Sequence, residues 1–396
     1  MTGGRPARRV LYISYNGLGT PLVRSQVLPY LRDLGPSTGV DLITFEQHEA
    51  DQPSAPEIGA IRVHRLPYHK RPRLAAKLFD VLVGAAVASW LVFRHDIGLI
   101  HARSHVPAAM AAVAGALTRR PFIFDMRGFL GAEFAEAGAW RRGSLTERLV
   151  SVAERLLLRM SRAIVVLTER AREHLLAEPR YAAAVGGKPV AVVPCCVEIE
   201  RFAQPATERD GSLVYVGSVG TWYRLDAMLR FFVAYRRARP SARFVIANVG
   251  QHDVIERQLA LTEARAAVTV AAIGFAEIPR LLLRCGAGIV LLSEGGSKLA
   301  SSPIKVAEYL AAGLPVVANE IVGDTPRLLR ESRAGVVLKA LDDASIDSAA
   351  RELVLLLDEG HAVRDRARAL AAAAFDAREG ARRYDRLYGE VLEAAS

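Results

Sequence analysis

The chain reads as an α/β protein of two Rossmann-like domains, each a parallel sheet wrapped by helices. Three observations predict this. Short apolar runs of strand length alternate with longer runs of helical period from Val10 onward. The alternation is interrupted by a polar, aperiodic stretch over 203–211 and then starts again. The chain has 396 residues, 51% of them hydrophobic and 24% charged, enough to fill two ordinary cores.

In the first half, strands are expected at 10–15, 41–45, 61–66, 97–101, 122–125, 163–167 and 190–194, from apolar runs bounded by turn residues. Helices are expected at 22–34, 74–93, 108–117 and 144–160. In the second half, strands are expected at 213–216, 243–248, 268–273, 288–292, 315–318 and 335–338, with helices between them. The closing stretch, 377–395, has the period of an amphipathic helix. The expected domains are therefore 8–202 and 203–376, followed by a C-terminal helix within 377–396.

Composition excludes several classes. Three cysteines, two of them adjacent (Cys195 and Cys196), make neither a disulfide framework nor a metal spacing, which favours a reducing compartment. Residues 1–9 lack the apolar core of a signal peptide, so a cytoplasmic location is expected. The uncharged run 81–93 is shorter than the ~20 residues that cross a bilayer. The net charge is +10, but no zinc-finger spacing, RNA-binding aromatics or helix-turn-helix accompany it, so no nucleic-acid partner is expected. A basic face toward an anionic membrane or a phosphate substrate is the better expectation.

The segment 301–320 is the most informative. Ser302 is suited to cap a helix, Pro303 to take its first position and Gly313 to stop it. Helix-start N–H groups near Ile304 and Lys305, with the lysine's charge, suit phosphates. Glu308, three residues on, shares a face with Lys305 and suits sugar hydroxyls. The chain has six lysines against 46 arginines (52 − 6), so a lysine here stands out. An ordinary surface helix with an ion pair fits the local pattern equally well.

The pattern Ser301-x-Pro-x-Lys-x-x-Glu-Tyr-Leu-Ala-x-Gly-x-Pro-Val-Val resembles the donor-site motif of retaining glycosyltransferases of family 4, group 1 type, which have the GT-B fold. The resemblance gives Glu308 the donor's ribose. A second family glutamate, eight positions earlier, is Ala300 here, with Glu294 and Ser297 nearby as substitutes. It makes the first domain the acceptor domain and the second the donor domain. The C-terminal helix crosses back to the first, with Arg382, Tyr384 and Tyr388 as contacts.

Other segments fit the same family. Tyr15-Asn16-Gly17-Leu18-Gly19-Thr20 is neither a P-loop nor a full dinucleotide fingerprint, since Leu22 replaces the third glycine. The resemblance gives Gly17 and Gly19 the donor; a tight strand–helix turn is the plainer reading. In Gly217-Ser218-Val219-Gly220-Thr221-Trp222-Tyr223, Ser218 and Tyr223 stand near the family's arginine and lysine, and Arg224 becomes the candidate phosphate cation. Arg127 replaces a family histidine beside the reacting sugar, and Asp125 shares its strand face. Asp125, Arg127 and Lys305 are thus the catalytic candidates, against a structural ion pair at a strand end. Ser218, Gly220, Tyr223, Arg224, Ser301, Ser302, Lys305 and Glu308 are the donor candidates in the second domain. Arg103 and His105 are acceptor candidates, with His101 as packing. The 322–325 loop falls near the sugar.

Neither a metal-ligand spacing nor an Asp-x-Asp site is visible. The expected activity is metal-independent transfer from a nucleotide-sugar, UDP- or GDP-linked, with no cofactor. The acceptor is a glycan, a lipid-linked acceptor or a small molecule. Lys70, Arg71 and Arg73 precede the apolar helix 74–93, so peripheral contact with an anionic membrane is expected. Ala300 and the missing family cations keep open a non-catalytic nucleotide-sugar-binding subunit, and a GT-B epimerase is a further alternative.

Overall fold

The computed structural model describes residues 8–35, 37–47, 58–141, 143–203, 209–220 and 222–395. The chain divides into two compact units. One comprises the residues up to Pro194 together with those from Ala377 on; the other is Cys195–Asp376.

The first unit holds strands β1 (Arg8–Ser14), β2 (Thr38–Glu46), β3 (Arg62–Pro67), β4 (Leu99–Arg103), β5 (Phe122–Asp125), β6 (Ala163–Val166) and β7 (Val190–Val192). They form one parallel sheet in the order β3-β2-β1-β4-β5-β6-β7. The second unit holds β8 (Leu213–Val216), β9 (Phe244–Ala247), β10 (Val268–Ala271), β11 (Ala287–Val290), β12 (Val316–Asn319) and β13 (Gly335–Leu338). These are also parallel, in the order β10-β9-β8-β11-β12-β13. Central strands such as β6 and β11 are buried along their whole length, which is why they read as unbroken apolar runs. In both sheets the chain first steps one way from the opening strand and then returns to its other side. Ligands of such sheets bind beyond the carboxyl ends of the strands at that switch point.

In the first sheet, the connections β3 to β4, β4 to β5 and β5 to β6 all travel in one direction. Right-handed crossovers then put their helices, Arg73–His95, His105–Thr118 and Leu145–Met160, on one face of the sheet.

Three expectations need correction. The helix expected at 22–34 is two helices, Pro21–Gln26 and Leu28–Arg32, with Val27 leaving helical geometry at φ −128°. Pro29 causes the break, because it lacks an N–H and its ring crowds the preceding turn. Residues 195–202, assigned above to the first domain, pack in the second unit. Val197 donates to the Phe375 carbonyl at 2.8 Å, and Phe202 is buried in the same core as Val214 and Tyr309. The C-terminal helix, Ala377–Glu393, buries Tyr384, Leu387, Tyr388 and Val391 in the first unit. Arg382, expected among its contacts, pairs instead with Glu379 of the same helix at 2.8 Å.

Candidate functional site

The helix Ile304–Ala311 follows β11 at the switch point of the second sheet. Every residue from Lys305 to Ala311 is buried, so this is a core helix and not the surface helix that the local pattern also allowed. Pro303 directly precedes it, and the expected cap is not made: Ser302 Oγ accepts the Cys195 N–H at 3.2 Å. Ser301, one residue earlier, donates its N–H to the Lys298 carbonyl at 2.9 Å.

Lys305 is 6% exposed and Glu308 7%. Lys305 Nζ donates to Tyr215 Oη at 3.1 Å and lies 3.5 Å from the centre of the Tyr223 ring. A Cβ on Gly217, whose φ is +122°, would stand 3.0 Å from that nitrogen. The ammonium therefore lies against the loop after β8, and glycine lets the backbone approach it. Lys305 and Glu308 make no ion pair with each other among the described residues. Burial pushes Lys305 down to about 7, against the charge of Glu308. Burial pushes Glu308 up, against the charges of Arg201 and then Lys305. Two charged groups held out of water without mutual pairing are costly, and a polyanionic ligand with hydroxyl groups would relieve both.

The loop over them is braced. Asn248 Nδ2 donates to the Gly217 carbonyl at 2.9 Å, and Gln251 bonds both the N–H and the carbonyl of Val219, at 2.8 and 2.9 Å. Ser218 and Gly220 are exposed on it. The site gains a group that sequence reading missed, Lys298. It is 4% exposed, its Nζ lies 3.7 Å from the centre of the Trp222 ring, and it donates to Ser297 Oγ at 3.0 Å. The scarcity of lysine that drew attention to Lys305 applied equally to Lys298. Arg201 was also missed as a site group; its charge acts on Glu308 across a long sequence separation. Arg224 does not join them. Asp226 holds its guanidinium in two hydrogen bonds of 2.8 and 2.7 Å.

The first-unit candidates are placed differently. The glycines Gly17 and Gly19 are buried, and the loop's Leu18 N–H donates to Glu46 at 3.1 Å. A Cβ on Gly17 would meet the Glu46 carboxylate at 2.7 Å, so this glycine is needed for close approach of the chain's own side chain. Asp125 is fully buried, with Arg127 3.4 Å, His101 3.5 Å and Tyr384 Oη 3.4 Å away. Against the burial that would raise it, Arg127, with His101 and Arg103, holds its carboxyl down at about 2. Asp125 thus positions Arg127 and is not itself open to a ligand. Arg103 is buried and donates to Gln26 at 2.8 Å, and Arg127 donates to the same oxygen at 3.3 Å. His105 is corrected to a structural residue: it is buried and bonds Glu154 at 2.7 Å.

Asp41, His64 and His95, distant in sequence, also meet in this unit. One oxygen of Asp41 lies 2.8 Å from His64 Nε2 and 2.7 Å from His95 Nδ1, while Arg9 takes the other at 2.6 Å. The three offer a set of potential metal ligands that spacing did not reveal.

Residues 25–196 match the family described as Glycosyl transferase 4-like domain, and residues 210–358 match Glycosyl transferases group 1. No curated protein matches in sequence. Among solved structures, the chain is similar to sucrose-phosphate synthase from Thermosynechococcus elongatus, with 16% identity, 98% of this chain and 100% of that one covered, and a TM-score of 0.71. It is similar to Anabaena HepE in complex with UDP and glucose, with 14% identity, 97% and 99% covered, and a TM-score of 0.66. It is also similar to a putative UDP-N-acetylglucosamine 2-epimerase from Listeria monocytogenes, with 14% identity, 94% and 93% covered, and a TM-score of 0.56. At such identities the structures speak for the fold, and the two family matches, which between them span most of the chain, speak for the class. The chain belongs to the group 1 glycosyltransferases and has their GT-B fold of two Rossmann-like domains.

Proposed function

We propose that the protein transfers a sugar, with retention of configuration, from a nucleoside-diphosphate sugar to a glycan or lipid-linked acceptor without a metal ion. The observation that carries this is the buried Lys305–Glu308 pair against the Gly217 loop, unpaired with each other. In this reading Lys305, Lys298 and the first N–H groups of the 304–311 helix receive the diphosphate. Glu308 accepts hydrogen bonds from the ribose hydroxyls. Ser218, Gly220 and Tyr223 border the nucleotide. The UDP named with the Anabaena structure supports a uridine donor ahead of a guanosine one.

As the bond from the anomeric carbon to the diphosphate breaks, an acceptor oxygen bonds to that carbon on the same face. The acceptor proton passes to the leaving phosphate, and the nucleoside diphosphate departs. The lysine charge is worth most at that moment, because it meets charge that develops in the transition state. Incubation of the purified protein with UDP- and GDP-sugars, with and without EDTA, tests the reading. Nucleoside diphosphate release that persists in EDTA is expected; activity lost to EDTA and restored by Mn²⁺ rejects metal independence.

A second reading, a nucleotide-sugar-binding subunit without catalysis, draws on Ala300 at the place of the family's other glutamate. Tight donor binding with no release or transfer would favour it. Epimerised donor would favour the epimerase alternative.

A further inference from the structure

The helices Arg73–His95, His105–Thr118 and Leu145–Met160 make one layer on the first sheet. Their inner sides are core: Ala85, Ala88, Leu91 and Val92 of the first are buried, as are Leu157 and Leu158 of the third. Their outer sides are also apolar. Leu74, Leu78 and Leu82, four apart along one face, are 73%, 58% and 65% exposed. On the third helix Leu145, Leu149, Val152 and Leu156 repeat at intervals of four, three and four, each more than half exposed. Leu117 of the middle helix is 67% exposed. Apolar surface on adjacent helices of this extent is unusual on a soluble monomer and marks a docking face.

The charge on this layer is one-sided. The three helices contain three carboxylates, and each is engaged. Asp80 is buried and bonds Tyr15 Oη at 2.5 Å and His69 Nδ1 at 2.6 Å. Glu154 is buried and bonds His105, Tyr181 and the Leu130 N–H. Glu147 accepts the Gly143 N–H at 2.5 Å. The cations on the helices stay outside: Lys77, Arg94, Arg148 and Arg159 are exposed, as are Arg119 and Arg120 just beyond the middle helix, where Arg120 lies 3.8 Å from the exposed Asp96 at the end of the first.

Leu74–His95 has the length and mean hydropathy, 1.8, to cross a membrane. Its inner side is committed to the fold, so it suits lying in the interface and not spanning the bilayer. We propose that this three-helix face seats the first unit on an anionic lipid bilayer, with the leucine stripes entering the acyl boundary and the lysines and arginines at headgroup level. Charge chooses the occupant: a face with exposed cations and engaged carboxylates complements anionic lipid, whereas a second copy would bring the same positive charge against it. The inference deepens the lipid-linked acceptor of the reading above, and rests on that reading for its purpose.

The test is co-sedimentation of the full chain with phosphatidylglycerol-containing vesicles and with phosphatidylcholine vesicles, at low and high salt, without donor. Expected are binding to the anionic vesicles, weakening with salt, and a partition reduced at least about tenfold by the double variant Leu149→Glu, Leu156→Glu. Both positions are exposed, and far-UV circular dichroism checks that the variant is folded. Lys305→Ala should bind vesicles like the wild type. Donor turnover absent with vesicle binding intact faults the transferase reading alone. The inference is overturned if anionic vesicles are not bound at low salt, or if the folded leucine variant binds them undiminished. It is also overturned if, without lipid, the chain forms a dimer in sedimentation velocity that this variant dissolves.

Discussion

In the first unit the loop after the opening strand closes on a carboxylate of the chain itself, Glu46. In the second the corresponding loop closes over an ammonium, Lys305, whose nearest partners are a phenol and two aromatic rings. The order of the first six strands is the same and the switch point is the same; the first sheet adds β7 at its edge. The difference is electrostatic. The first unit satisfies its buried charges internally, His105 with Glu154 and Asp125 among Arg127, His101 and Tyr384. The second keeps Lys305 and Glu308 buried without mutual pairing. A fold tolerates that cost where a ligand repays it, which is why the proposed reading puts the binding chemistry in the second unit.

Lys305→Met should break this contrast most sharply. Turnover should fall by about 10²–10³, the scale for removing one preorganised group that meets transition-state charge. The ligand-free protein should become more stable, because a buried ammonium is replaced by an apolar chain of similar length. The sign has a pH signature. Lys305 is held at about 7 in the fold against an ordinary 10.5, so the unfolded chain binds the extra proton between those values. The cost is full below pH 7 and is relieved as pH rises, so the stabilisation by Met should shrink from pH 7 toward pH 10. By the same linkage, nucleoside-diphosphate binding at pH 8 should take up a proton in the wild type and not in the variant. Calorimetry in buffers of different ionisation enthalpy measures it. A variant that is less stable and binds with unchanged proton uptake would make Lys305 a structural cation.

Glu308→Ala comes next. Loss of hydrogen bonds to a charged acceptor costs about 1.5–3 kcal/mol, or roughly 10- to 150-fold in Kd for UDP. The same titration with 2′,3′-dideoxy-UDP separates causes, since the deficit should vanish where there are no ribose hydroxyls to hold. An equal deficit for both ligands would remove the ribose assignment.

How far the sequence carried this contrast depends on distance along the chain. Strands 122–125 and 213–216 were readable to the residue, because strands buried on both faces are short apolar runs ended by polar or turn residues. Lys305 and Glu308 were readable because a helix puts them on one face. What decided the first unit was not local. Leu18 answers to Glu46, 28 residues on, and His105 to Glu154, 49 residues on. The period of neither segment carries that information. Ser302 had a cap's position and identity, yet its hydroxyl serves Cys195, 107 residues away. Lys298 showed a signal, its rarity, but no motif to attach it to.

The first unit offers the third test. His105→Ala should lower stability by about 1–3 kcal/mol, the cost of leaving the buried Glu154 carboxylate short of a partner. Thermal melting should show the loss, and turnover per folded molecule should stay within about twofold of wild type. A stable variant with a raised acceptor KM would return His105 to the acceptor site.

Arg224→Gln should give the smallest effect, and the reason separates the two kinds of cation in the second unit. Arg224 stands at the residue before the Leu225–Ala238 helix, and its side chain is 40% exposed. Asp226 takes its guanidinium in two bonds and is the main cause that raises its pKa further. A cation already neutralised and in contact with water has little field left for a diphosphate. Lys305, buried against an aromatic ring, makes no ion pair among the described residues and so has no such partner to neutralise it. The variant should therefore shift Kd for UDP by less than about twofold and stability by up to about 1 kcal/mol, the worth of an exposed ion pair. Removing both partners, Arg224→Gln with Asp226→Asn, should do no more than the single change. A tenfold loss of affinity in the single variant, reversed when Asp226 is also replaced, would mean that Arg224 leaves Asp226 for the ligand, and that the ion pair competes with the donor.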